Sequence, residues 1–239
     1  YNGGFDDYRG RYINRRLSEM EDITVEDMKA LQLDSRSLKP EDALPKLLSL
    51  LDSTASPLRK HERVGRLRNW DYTFTAKAEA PCLFENWYNA AYAQTFDELL
   101  SQQDTLEVLM PEDWRFIQLL AEEPGHALFD HQATPALEEA ADIVLRALEE
   151  ALEQPPTTWA AQQSTDIGHM AKIPAFSRVD LEVGGYADAP NAIKPAHGPS
   201  WRMVVEMGAQ PNAWGIFPGG PSCRACCSSK PWRSSAAFC

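Results

Sequence analysis

Through the first three quarters of the chain, apolar side chains return every third or fourth position, the spacing of a helix buried along one side. Over residues 9–20 the stripe is Tyr12, Ile13, Leu17 and Met20, with a basic face opposite. Thr24-Val25-Glu26-Asp27 reads as a helix start, a hydroxyl N-cap with a carboxylate three residues on. Met28, Leu31 and Gln32 continue it at helical spacing. A third helix is predicted over 41–51, carrying Leu44, Leu47, Leu48 and Leu51. Pro45 is assigned to its first turn, where a missing N–H does little harm.

Residues 67–100 are rich in aromatics, from Trp70, Tyr72 and Phe74 to Trp87, Tyr88, Tyr92 and Phe96, and the part from Pro81 reads as a largely buried helix. Pro111-Glu112-Asp113 opens a shorter one holding Trp114, Ile117, Leu119 and Leu120. The strongest helix signal covers 134–154, with Thr134 as N-cap, Pro135 at the first helical position, and Glu138 and Glu139 at the positive end of the dipole. Pro155-Pro156 ends it. After Trp159 the texture changes to Gly, Pro and Asn, and residues 202–207 have strand composition. Residues 214–217 form a candidate partner strand across a loop at 208–213. The fold class expected is α+β, a helical block followed by a short antiparallel β unit. The segments are 1–158, mainly helical, 159–221, β-rich and of the same domain, and an atypical tail at 222–239.

An apolar fraction of 44% over 239 residues is enough for a packed core. The formal net charge of −12 opposes phosphate backbones, so no nucleic-acid partner is expected. No run of about 18 apolar residues occurs, so no spanning helix is expected. No signal peptide is visible after Tyr1. The tail holds Cys223, Cys226, Cys227 and Cys239 but no Asp or Glu. It reads as a metal-binding tail, an unstructured one, or translation in a shifted frame. One C-x-x-C without His or a second pair is thin support for zinc, and the shifted frame is preferred.

Four stretches, in order, resemble the penicillin acylase family, also called penicillin amidases. The first is Tyr8-Arg9 with Ile13 and Leu17. The second is Thr24-x-Glu26-Asp27-Met28-x-x-Leu31-Gln32-x-Asp34-x-x-Ser37. The third is Leu67-x-x-Trp70-Asp71 followed by Leu83-Phe84-x-x-Trp87. The fourth, His197-Gly198-Pro199-Ser200-Trp201-Arg202-Met203-Val204-Val205, runs on to Pro218-Gly219-Gly220-Pro221-Ser222. Pro221 stands where the family usually has Gln, and after Ser222 the resemblance stops at the composition break.

The resemblance implies a piece of a larger four-layer α/β/β/α hydrolase of the N-terminal-nucleophile type. Such enzymes are zymogens that cut themselves to expose a Ser at a new chain start. That Ser attacks a linear amide, such as a penicillin-type or acyl-homoserine lactone acyl group, which connects the family with antibiotic biosynthesis or turnover. A free α-amino group, with a pKa near 8, serves as its base. Backbone N–H groups and an Asn stabilise the oxyanion. Nucleophile and oxyanion Asn are expected to be absent here, since Tyr1 is not Ser, Thr or Cys and Asn2 lies too close to Arg9. The fragment is therefore expected to be inactive alone. Its partners would be the missing upstream portion of the same precursor (small chain and start of the large chain) and a small amide substrate. No cofactor is expected within the chain, and the calcium sites of some members fall upstream. The family suggests a periplasmic or extracellular location.

One site residue carries over. The family Arg beside the active site, which supports the oxyanion Asn and the substrate carboxylate, aligns with Arg9. Its planar fork of five donors suits an amide oxygen or a carboxylate. With Arg11, Arg15 and Arg16 nearby, a plain basic face is the competing reading. Asp6-Asp7 is a candidate carboxylate pair but reads better as solvated charge before a helix. His126 and His131 around Asp130 are weak candidate metal ligands, because a spacing of five splits them between faces. His169 and His197 read as loop and turn residues, and Ser200 lacks the spacing of a nucleophile elbow. The aromatic cluster reads first as core and second as an acyl pocket. The alternative function is a non-catalytic helical scaffold, which predicts a self-contained core without a large exposed apolar face.

Overall fold

In the computed structural model, residues 7–102, 109–131, 134–169, 171–195, 202–207 and 212–216 are described. At its centre two helices lie against each other, α5 (Ala80–Thr95) and α8 (Ala140–Glu153). From α5 come Phe84, Trp87, Tyr88 and Ala91; from α8 come Ile143, Val144, Ala147 and Leu148, all at 0–1% exposure. The alanines let the axes approach, and the Trp87 indole N–H donates to the Val144 carbonyl at 2.9 Å. Burying each large apolar side chain contributes about 1.5–3 kcal/mol, so this pairing dominates the block.

Around it stand α1 (Tyr8–Ser18), α2 (Val25–Gln32), α3 (Leu38–Ser53), α4 (Glu62–Arg68), α6 (Asp97–Gln102), α7 (Asp113–Glu122) and α9 (Trp159–Gln163). Helix α2 starts as expected: the Thr24 hydroxyl accepts from the Asp27 N–H, and Asp27 accepts from the Thr24 N–H at 2.9 Å. Two expected starts are corrected. Helix α3 begins at Leu38 behind an N-cap at Ser37, so Pro40 holds the first turn and Pro45 lies in the interior. Its ring removes the bond to the Glu41 carbonyl, and Leu44, Leu47 and Leu51 carry the helix by burial instead. Helix α8 begins at Ala140, not after Thr134. Glu139 is the cap, paired with Asp142. The Glu138 N–H donates to Asp130 at 3.2 Å and its carboxylate meets Arg146 at 2.5 Å, contacts that hold Glu138 outside the helix.

The β unit is antiparallel and α+β is the class found. Strand β3 (Arg202–Glu206) pairs with β4 (Asn212–Ile216), in register from Arg202 opposite Ile216 to Glu206 opposite Asn212. A second pair, β1 (Thr165–Ile167) with β2 (Arg178–Leu181), has an irregular register. Helix α2 packs on β3 and buries Val204, while Met203, Val205 and Met207 stay exposed.

Candidate functional site

Arg9 lies in the first turn of α1 and is exposed. Its guanidinium reaches across 178 residues to donate to the Ala187 carbonyl. Its neighbours on the helix behave differently. Arg11 pairs with Asp42 at 2.8 Å, Arg15 with Glu41 at 2.6 Å and Arg16 with Glu19 at 3.0 Å. Those pairs are what a plain basic face predicts. Arg9 points away from α3 and into the loop 184–191.

That loop is held at both ends. The Gly185 N–H donates to the Phe74 carbonyl at 2.8 Å, and the Trp159 indole donates to the Gly185 carbonyl at 2.8 Å. Tyr186 stacks on Phe74 with centroids 4.1 Å apart. Two glycines make this approach possible. A Cβ on Gly184 would meet the Phe74 carbonyl oxygen at 2.6 Å, and Gly185 has φ +111°. At the far end the Asn191 N–H donates to the Asp34 carbonyl at 2.8 Å, and the Asn191 amide donates to Ser35 Oγ at 3.0 Å. Arg202 donates to Asn191 Oδ1 at 2.7 Å and to the Gln32 carbonyl at 2.7 Å. Asp34 also accepts from the Tyr12 hydroxyl at 2.6 Å, which ties α1 to the same anchor.

Behind the loop lies a buried charge cluster. The Lys39 ammonium meets Asp113 Oδ2 at 2.8 Å and sits 4.4 Å from the centre of the Tyr88 ring. The Tyr88 hydroxyl donates to the other Asp113 oxygen at 2.7 Å. Glu85 accepts from the Tyr186 hydroxyl at 3.0 Å. Burial pulls the Lys39 pKa down, but Asp113, Glu85 and Asp188 outweigh it and the net direction is up. Burial pushes the Glu85 and Asp188 carboxyls up, and Asp113 pushes Asp188 further. Three carboxylates therefore share one buried ammonium.

The other candidates do not converge on this place. Asp7 lies 3.5 Å from Arg11 in an exposed pair; Asp6 is outside the described residues. His126 Nδ1 accepts from the Leu128 N–H at 3.2 Å, and His131 Nε2 lies 2.8 Å from Asp97, so they serve separate local contacts. No group of three metal-ligating side chains occurs among the described residues. His169 Nδ1 accepts from the Ala171 N–H at 3.3 Å, and its ring packs on Phe176. His197, Ser200, residues 222–239, Tyr1 and Asn2 fall outside the described residues. The aromatics Phe74, Phe84, Trp87 and Phe96 are fully buried core.

Lys39, Glu85 and Asp188 went unnoticed in the sequence, and Asp113 was read only as a helix opener. Lys39 had a signal: it continues the buried stripe Ala43, Leu47, Leu51 at four-residue steps, and a lysine on such a stripe requires a counter-charge. Residues 2–230 match the penicillin amidase family, and the chain belongs to that family, whose chemistry is the hydrolysis of amide bonds.

Proposed function

We propose that this chain is part of an enzyme that hydrolyses linear amides, such as penicillin-type or acyl-homoserine lactone acyl groups, with Arg9 in a supporting role beside the reacting centre. The acyl transfer would start at an N-terminal Ser carried by chain outside these residues. Its α-amino group would take the hydroxyl proton, and backbone N–H groups with an Asn would receive the oxyanion.

The observation that carries the reading is the family match together with Arg9's separate seat. Its guanidinium is exposed and spends a donor on the Ala187 carbonyl, not on the α3 carboxylates. The rest of the fork is left to hold an Asn side chain or a substrate carboxylate.

The bare row on β3 supports further chain packing here. Met203 and Val205 in β3 are 49% and 43% exposed and Met207 just after it 85%, while Val204 between them is buried. An apolar row of that kind counts against a self-contained scaffold. Packing of upstream chain, within a four-layer enzyme, would cover it.

The test is to express the full precursor and follow release of p-nitroaniline from a panel of acyl p-nitroanilides. Turnover should be present and should fall by about 10²-fold on Arg9→Ala, the scale of a lost oxyanion-supporting donor. Absence of turnover on every acyl group would overturn the reading, and turnover untouched by Arg9→Ala would remove Arg9 from it.

A further inference from the structure

Arg9 and Tyr12 are three residues apart and so share one face of α1. Arg9 donates to the Ala187 carbonyl. The Tyr12 hydroxyl donates to Asp34 Oδ2 at 2.6 Å, and the Asp34 carbonyl accepts from the Asn191 N–H at 2.8 Å. Between Ala187 and Asn191 the chain closes on itself twice. The Ala189 N–H donates to the Tyr186 carbonyl at 3.1 Å, a β-turn with Ala187 and Asp188 at its centre. The Tyr186 N–H donates to the Asn191 carbonyl at 3.1 Å. The turn's own bond leaves the Ala187 carbonyl unused, and Arg9 takes it. A hydrogen-bonded circuit therefore leaves α1 at Arg9, passes through Asn191 and returns to α1 at Tyr12.

Every polar atom of Asn191 is engaged, and the residue is only 7% exposed. Its backbone N–H and carbonyl are the two groups just named. In the side chain, Nδ2 donates to Ser35 Oγ at 3.0 Å and Oδ1 accepts from Arg202 at 2.7 Å. Arg202 is fixed in turn by the Gln32 carbonyl at 2.7 Å. The amide thus joins the segment after α2 to β3. Gly185 makes room for it, since a Cβ there would lie 2.6 Å from the Asn191 carbonyl oxygen and 3.0 Å from Nδ2.

We propose that Asn191 is a positioning residue for Arg9: its side chain, clamped between Ser35 and Arg202, sets the turn that offers the Ala187 carbonyl to the Arg9 guanidinium, and so sets where the remaining Arg9 N–H groups point. The kinetic part of this proposal rests on the amide-hydrolase reading above; the positioning part does not.

A residue that only filled space would act on stability alone. Loss of the Asn191 clamp should instead be felt at Arg9 and not at Arg15, whose partner Glu41 belongs to α3. The chemistry of the clamp also names its conservative replacement. A carboxylate accepts from Arg202 as the amide does, and the Ser35 hydroxyl can turn to donate to it. A leucine has nearly the same size and makes neither bond.

The experiment uses the full-length protein with Asn191→Leu, Asn191→Asp and Ser35→Ala. Modification of Arg9 and Arg15 by phenylglyoxal is timed by mass spectrometry, beside Tm and kcat/KM on an acyl p-nitroanilide. Asn191→Leu should speed Arg9 modification by about tenfold, the scale of one lost hydrogen bond from a charged donor, with Arg15 unchanged. Asn191→Asp should stay near the parent rate. If Asn191→Leu fails to fold, Ser35→Ala, which removes one side of the clamp, should still speed Arg9 by about threefold. In activity, the double variant Arg9→Ala with Asn191→Leu should be no worse than Arg9→Ala alone. Arg9 reactivity unchanged in every folded variant, or rising equally at Arg9 and Arg15, overturns the proposal whatever the kinetics do. Asn191→Asp reacting as fast as Asn191→Leu overturns it as well. Released Arg9 with unchanged kcat/KM keeps the positioning and removes Arg9's role in amide hydrolysis.

Discussion

Lys39 on α3 and Asp113 on α7 form an ion pair of 2.8 Å whose side chains are only 9% and 17% exposed. Its partners are all used: one Asp113 oxygen takes the ammonium and the other takes the Tyr88 hydroxyl. Breaking such a pair from one side leaves an uncompensated buried charge, a loss of about 3–5 kcal/mol. Lys39→Ala should lower unfolding free energy by that amount in urea titration. Lys39→Met combined with Asp113→Leu should cost less than the two single changes added together.

The cluster also fixes the direction of a pH response. Burial raises the folded-state pKa of Glu85 above 4.5 and of Asp188 above 3.8. Their contribution is fully present below those unfolded values and is lost as pH rises through the raised folded ones. Lys39, Tyr186 and Asn89 oppose the rise at Glu85, and Lys39, Arg9 and Lys194 oppose it at Asp188, while Asp113 adds to it there. Glu41, paired with Arg15 and Arg36, is shifted the other way, so its stabilisation is lost as pH falls below about 4.5. Tm against pH should peak on the mildly acidic side, and Glu85→Gln with Asp188→Asn should flatten the decline toward neutrality. A curve unchanged by that pair of substitutions would contradict the buried-acid account.

Gly185 admits no side chain. Its φ of +111° disfavours any L residue, and an added Cβ would meet the Asn191 carbonyl oxygen at 2.6 Å. Gly185→Ala should cost at least about 2 kcal/mol, from backbone strain plus the clash. It should also displace Tyr186 from Phe74, which near-ultraviolet circular dichroism would register.

Thr24 offers a contrast. Its hydroxyl caps α2 in an exposed box with Asp27. Thr24→Ala should cost about 1 kcal/mol in thermal unfolding, the loss of one helix cap.

What the sequence disclosed was the part governed by local rules. The Thr24 box, the Asp113 helix and β3 have short-range signals and stand where those place them, while β4 spans Asn212–Ile216 and takes in two residues expected in the loop. Pro45 and Thr134 misled because tertiary contacts outweighed them: buried leucines carried α3 through a proline, and the Arg146–Glu138 pair turned a helix start into a loop. The β1–β2 pair was hidden by its short length, its irregular register and a positive φ at Asp180. For the site, Arg9 was found by family likeness alone. Its acceptor, the Ala187 carbonyl, has no local signature, since the loop matters only through Phe74, Trp159 and Asp34, residues remote in sequence.

The bond from Arg9 to Ala187 joins positions 178 apart, and Asn191 must also dock before the loop is held. At roughly 5–20 residues per second of synthesis, the interval between making the two ends is about 10–35 s. Throughout that interval Arg9 has no seat, while α1, α2 and α3 can already form. The arginine is therefore assembled late by the order of translation itself, a delay set by chain connectivity and not by any separate timing device.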